Sequence, residues 1–246
     1  MATAKKTTEL VEIKPIEMER VKLRIVGDTP LIMHAWSAKA KREILEKELG
    51  STKTKAREPK NPLADFCASM YWLTPMPEEF TEEAVSEALK TARFGFPVTA
   101  IKQAAISAAY RMGWSKDKAS LRGAFFIEPD TEYYYGGELV VDHEKKKVDI
   151  VPNQMLRNQM FEIKSDPPMM REDMVVVGGM SRAADIRYRG EFENWSADLV
   201  IKFNKNGQYS LEQIVNILNA GGVVNGIGEW RSERDGQAGS FHVEVA

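Results

Sequence analysis

Four glycines fall within eight residues in the segment Gly221-Gly222-Val223-Val224-Asn225-Gly226-Ile227-Gly228-Glu229-Trp230-Arg231, which ends on an aromatic ring and a guanidinium. Glycine tolerates positive φ and lets a backbone or a phosphate come close. A guanidinium forks onto phosphate oxygens, and an indole offers a stacking face. Two readings are open. In one, the first glycine pair stops a helix and the second marks a bulged strand. In the other, the amides of Gly226 and Gly228 approach a bound strand while Trp230 and Arg231 flank it.

Three further clusters carry similar chemistry. Phe96-Pro97-Val98-Thr99-Ala100-Ile101-Lys102 reads as a helix start with Thr99 as its cap, where free N–H groups and Lys102 can hold a phosphate; an ordinary capped helix uses the same residues. Arg182, Arg187 and Arg189 surround Tyr188 beside Gly178-Gly179, and in a strand Arg187 and Arg189 share one face. Pairing with Glu191 and Glu193 is the competing explanation. From Lys39 to Lys60 eight cations face four acids, and Lys53, Lys55 and Arg57 sit in an aperiodic basic loop downstream of His34 and Trp36. Phe161 and Met169-Met170 fit either a wedge between bases or a core.

Catalysis finds little footing. The three histidines, His34, His143 and His242, are isolated, and no Cys-x-x-Cys, P-loop or Gly-x-Ser-x-Gly motif occurs. The expectation is a non-enzyme with no cofactor and no metal.

Composition sets the outer limits. The chain has 246 residues, 43% of them hydrophobic, enough for one large domain with its own core. Its 34 basic residues nearly balance 36 acidic ones, so a polyanion would have to be held by a local patch. One cysteine, Cys67, excludes an intramolecular disulfide and fits a reducing compartment, the cytoplasm by default. No stretch is long and apolar enough for a membrane span, and no membrane partner is expected.

The elements that would position these clusters follow from periodicity. Residues 1–17 read as a flexible arm and 18–246 as one domain, with insertions at about 34–95 and 142–177. Met18 to Val26 alternates, with Val21, Leu23 and Ile25 opposite Arg20, Lys22 and Arg24, as a half-buried strand does. Helical spacing appears over Ala38 to Leu49, Leu63 to Leu73, Glu82 to Ala92 and the Thr99 segment. Phe125 to Ile127, Thr131 to Val141 and Lys147 to Val151 read as strands, followed by short apolar runs at Met155 to Ile163 and Met174 to Val177. Ala197 to Phe203 reads as a strand, and Ser210 with Gln213 forms a capping box for the last helix. The order suits an α+β fold with a ferredoxin-like (RRM-like) βαββαβ core better than a doubly wound parallel sheet.

The Pro97 helix start, the segment from Gly178 to Phe192 and the glycine loop occur in an order that resembles the RAMP superfamily, the ferredoxin-like RNA-binding proteins of CRISPR effector complexes. The two insertions resemble the finger and thumb of the backbone subunit. Where that family has glycine after the helix lysine and an arginine a turn later, this chain has Gln103 and Ile106. The resemblance implies sequence-independent binding of single-stranded RNA as a homo-oligomer or filament, with other effector subunits as further partners. The residues expected at the nucleic acid are Lys53, Lys55, Arg57, Thr99, Lys102, Arg182, Arg187, Arg189, Gly226, Gly228, Trp230 and Arg231. Some relatives cut RNA with a loop aspartate, for which Asp28 and Asp65 are the counterparts. The rivals are a viral structural or assembly protein, a phage protein that binds or anneals single-stranded DNA, and a metal-dependent ribonuclease.

Overall fold

The computed structural model describes residues 14–36, 38–50, 59–129, 131–134, 138–145, 147–151, 156–177 and 183–245. The expected arm, and with it residues 1–13, lies mostly outside this range, as do Lys53, Lys55, Arg57 and Arg182. In chain order the elements are β1 (Met18–Gly27), β2 (Leu31–Ile32), α1 (Ala38–Glu48), α2 (Pro62–Ala68), α3 (Glu82–Leu89), β3 (Phe94–Pro97), α4 (Val98–Arg111), α5 (Lys118–Ala124), β4 (Phe125–Glu128), β5 (Thr131–Tyr134), β6 (Glu138–Asp142), β7 (Lys147–Val151), β8 (Leu156–Ile163), β9 (Met169–Val177), β10 (Ala183–Phe192), β11 (Ser196–Asn204), α6 (Leu211–Ala220) and β12 (Phe241–Val245). The fold is mixed α+β with antiparallel sheets.

The main sheet has the order β12-β1-β11-β4, and every neighbouring pair in it is antiparallel. Alternation along β1 puts Leu23 and Ile25 inward, in register with Leu199 and Ala197 of β11. Phe125 and Ile127 of β4 and Phe241 of β12 complete this inner face. It packs on the apolar stripes of α4 (Ile101, Ala105) and α6 (Ile214, Leu218), all within one core. The small α4 residues let that helix lie close. The alternate positions of the strands carry Arg20, Lys22, Arg24, Lys202 and Phe126, which face away from the helices.

Two smaller sheets, β2-β10-β9 and β3-β8-β5, and the ribbon β6-β7 make up the rest of the described strands. An edge-to-face contact of Phe94 on Phe192 at 5.2 Å joins the two small sheets, and Trp72 packs on Phe94 from the loop after α2 at 4.8 Å. Phe161 is fully buried, so its reading as a wedge gives way to a core role.

Several boundaries differ from expectation. The helix expected over Leu63 to Leu73 ends at Ala68, because the Ser69 hydroxyl bonds back to the Phe66 carbonyl and Trp72 bridges Phe94. Its start is fixed by Asn61, whose side chain accepts from the amides of Leu63 and Ala64. Residues Thr131 to Val141 form two strands in different sheets. A short helix, α5, occupies 118–124, where periodicity over so few residues gives no signal. The capping box of α6 is present, with Ser210 and Gln213 satisfying each other's amides.

Candidate nucleic-acid interface

The glycine loop is built against the protein itself. Gly221 does not stop α6: its φ is -56°, and the chain continues through one wider turn over Gly221–Asn225, closed by the Gly226 amide on the Gly221 carbonyl at 2.9 Å. A Cβ on Gly221 would stand 2.7 Å from the backbone nitrogen of Ala105, and one on Gly222 only 1.9 Å from the Phe241 carbonyl. Gly226 and Gly228 do have positive φ, 67° and 80°, and a Cβ on Gly228 would stand 2.5 Å from the Ile32 carbonyl. What approaches these glycines is α4, β12 and β2, and for Gly226 the Ala238 and Gly239 carbonyls.

The charged partners of the loop are likewise engaged internally. Arg231 donates to the Gly228 carbonyl at 2.8 Å and to Glu233, which also receives Arg111 at 2.8 Å. Asn225 is buried and donates to the Ala104 carbonyl, fastening the wide turn to α4. Trp230 has a φ of 51° and remains 39% exposed, so its ring keeps a free portion. Glu229 pairs with His34 at 3.5 Å, and that contact holds its carboxyl below the usual value.

Arg189 is corrected outright. It is 5% exposed and its guanidinium donates to Asp173 at 2.8 Å. Burial alone would raise the Asp173 carboxyl, but hydrogen bonds from Arg171, Arg189 and Trp230 outweigh it and keep the group ionised. Arg187 is more open, and pairs with Asp185 at 3.0 Å, as does Lys60 at 2.7 Å. The acids that pair these arginines are Asp173 and Asp185, from the facing strand and the same strand, and not the expected Glu191 and Glu193. Gly228, Arg189, Trp230 and Arg231 are thus neighbours, yet most of their polar capacity is spent internally.

Thr99 is exposed in the first turn of α4, and the cap position belongs to Pro97, which supplies no side-chain bond. The proline ring pre-sets φ at the helix entry, and no side chain at the cap position accepts from the first-turn amides. Lys102, one turn along, does not reach the helix end. Its ammonium stands 4.3 Å over the ring of Phe126 on β4, and burial lowers its pKa.

That contact leads to a surface which motif reading missed. The outward face of the main sheet carries Arg20, Lys22 and Arg24 on β1, Lys202 on β11, and Lys164 reaching in from beyond β8. Glu128, Asp198 and Glu244 are the carboxylates on the same face. Glu128 takes Arg20 at 3.0 Å, and Asp198 takes both Arg24 at 2.8 Å and Lys164 at 2.6 Å. Those two hydrogen bonds, Arg24 first, press the Asp198 carboxyl down to about 2. The signal was present in the sequence as three cations at alternate positions opposite Val21, Leu23 and Ile25.

The Asp28 carboxylate accepts from His242 Nδ1 at 2.7 Å, and Asp65 lies in the first turn of α2. Among the described residues no group of three or more His, Cys, Asp or Glu is arranged to hold a metal ion. No helix among them is long and apolar enough to cross a membrane. Compared with protein-family models and with curated proteins, the sequence matches none.

Proposed function

We propose that this chain is a ferredoxin-like protein related to the RAMP superfamily, and that it binds single-stranded nucleic acid, RNA in the first place, without regard to sequence and as a multimer along the strand. The topological support is that α4 lies between β1 and β4 in the chain and α6 between β11 and β12, within the order β12-β1-β11-β4. The observation that carries the binding is the cation-bearing outward face of that sheet, on which Arg20, Lys22 and Arg24 are exposed. A strand laid over Arg20, Lys22, Arg24 and Lys202 would meet cations two residues apart along β1 and across to β11. Such spacing suits a flexible polyanion, and it reads phosphate, not base identity.

Fluorescence anisotropy with a labelled oligouridylate tests this. Neutralising about four phosphates predicts a loss of roughly 50-fold in affinity between 50 and 200 mM salt. A flat response refutes the reading.

A specific observation favours a second reading, an assembly protein whose surfaces grip neighbouring copies. On one face of the β9–β10 ribbon Met174 is 77% and Val176 69% exposed, beside Ile186. It predicts multimers purified with an absorbance ratio typical of protein alone.

A further inference from the structure

Phe126 is an anomaly on a charged sheet face. It is a large apolar ring, 47% exposed, on an edge strand, at the register position opposite Lys202 and one row from the inward Phe125. The same row continues to Arg20 on β1, since Lys202 faces both. Lys102 reaches the ring from α4, on the far side of the sheet edge. Lys102 from α4 thus stands over a half-exposed ring whose row along the sheet continues through Lys202 to Arg20. Glu128, two residues along β4, is bonded to Arg20 and also drawn by Lys202.

Neither Lys102 nor Lys202 has an ion-pair partner among the described residues. Lys102 is in part desolvated without such a partner, and cation–π contact offsets only part of that cost. An exposed ring held in place by an ammonium, with phosphate-binding groups around it, is what an unstacked base and its phosphate require.

Resting on the nucleic-acid reading above, we infer that Phe126 with Lys102, Lys202 and Arg20 forms a nucleotide subsite: a base of the bound strand lies on the Phe126 ring and the adjoining phosphate sits among the three cations. Stacking is indifferent to base identity, so the subsite anchors the strand without selecting its sequence. Lys102 fixes the ring from one side and turns toward the phosphate when the strand arrives.

The test uses the full chain and a fluorescein-labelled oligouridylate at 50 mM salt, with a 4-thiouridine version for photocrosslinking. Phe126→Ala is expected to weaken binding about 10-fold, and Phe126→Tyr to leave it nearly unchanged, both with the thermal midpoint of the parent. Lys102→Ala and Lys202→Ala should each flatten the salt dependence by about 0.7 in the log–log slope. In the unmodified protein the thiouridine crosslink should map to the peptide bearing Phe126, a readout independent of any variant's folding. If the parent binds but Phe126→Ala binds as well and the crosslink falls elsewhere, the subsite is wrong while the general reading survives. If the parent does not bind the oligomer, both fall.

Discussion

Asp198 restrains the cationic face. Its carboxylate, held near 2 by Arg24 and Lys164, engages both of those cations and offsets one of their two charges, which a polyanion would otherwise meet. Asp198→Asn should therefore tighten oligonucleotide binding several-fold at neutral pH, measured by the same anisotropy titration. The pH dependence has a definite sign. An acid whose folded pKa lies below its unfolded value of about 3.9 stabilises above that value and loses the contribution as pH falls through the folded pKa. The stability gap between the parent and Asp198→Asn should stay constant from pH 7 to 5 and close between about pH 4 and 2, as read by urea denaturation. Because both partners are substantially exposed, the gap itself should be small. At this same scale the sequence was a poor guide: Arg189 and Arg231 have the residue type for phosphate, but their partners Asp173 and Glu233 come from other parts of the chain or through a turn. Cation counts do not reveal which cations are already neutralised.

Elements were more legible. The alternation of β1 and β11, the α4 stripe and the α6 capping box all follow from local periodicity and cap chemistry. The α2 boundary and the division of Thr131 to Val141 between two sheets were not, since tertiary pairing sets both. Glycine substitutions separate local from tertiary effects. Gly222→Ala puts a methyl 1.9 Å from the Phe241 carbonyl and should cost at least 2 kcal/mol, or prevent folding, because backbone on both sides has to move. Gly123→Ala, in α5 with open space around it, should instead stabilise by about 0.5 kcal/mol. Urea midpoints of the two variants check both expectations, and equal effects would contradict the role given to the wide turn.

For the whole molecule, near-neutral net charge and a one-sided main sheet belong together. A chain with 34 basic and 36 acidic residues avoids indiscriminate attraction to polyanions, while the outward sheet face concentrates cations locally. The proposed multimer predicts that size-exclusion chromatography with light scattering gives a mass rising with oligonucleotide length, in steps of one protomer of 27.7 kDa plus a fixed number of nucleotides. Length-independent stoichiometry would leave only isolated binding. The α+β class was legible from element order, and the strand order itself depended on long-range register that no local pattern encodes.

The self-packed glycines of the wide turn and of the loop that follows it bear on how kinship could be traced. Gly221, Gly222 and Gly228 are each demanded by a backbone that belongs to the same fold, whatever the molecule binds. A profile weighted on them would gather chains that share this architecture and diverge freely in ligand. One weighted on the outward positions of β1, β11 and β4 would instead sort those chains by chemistry.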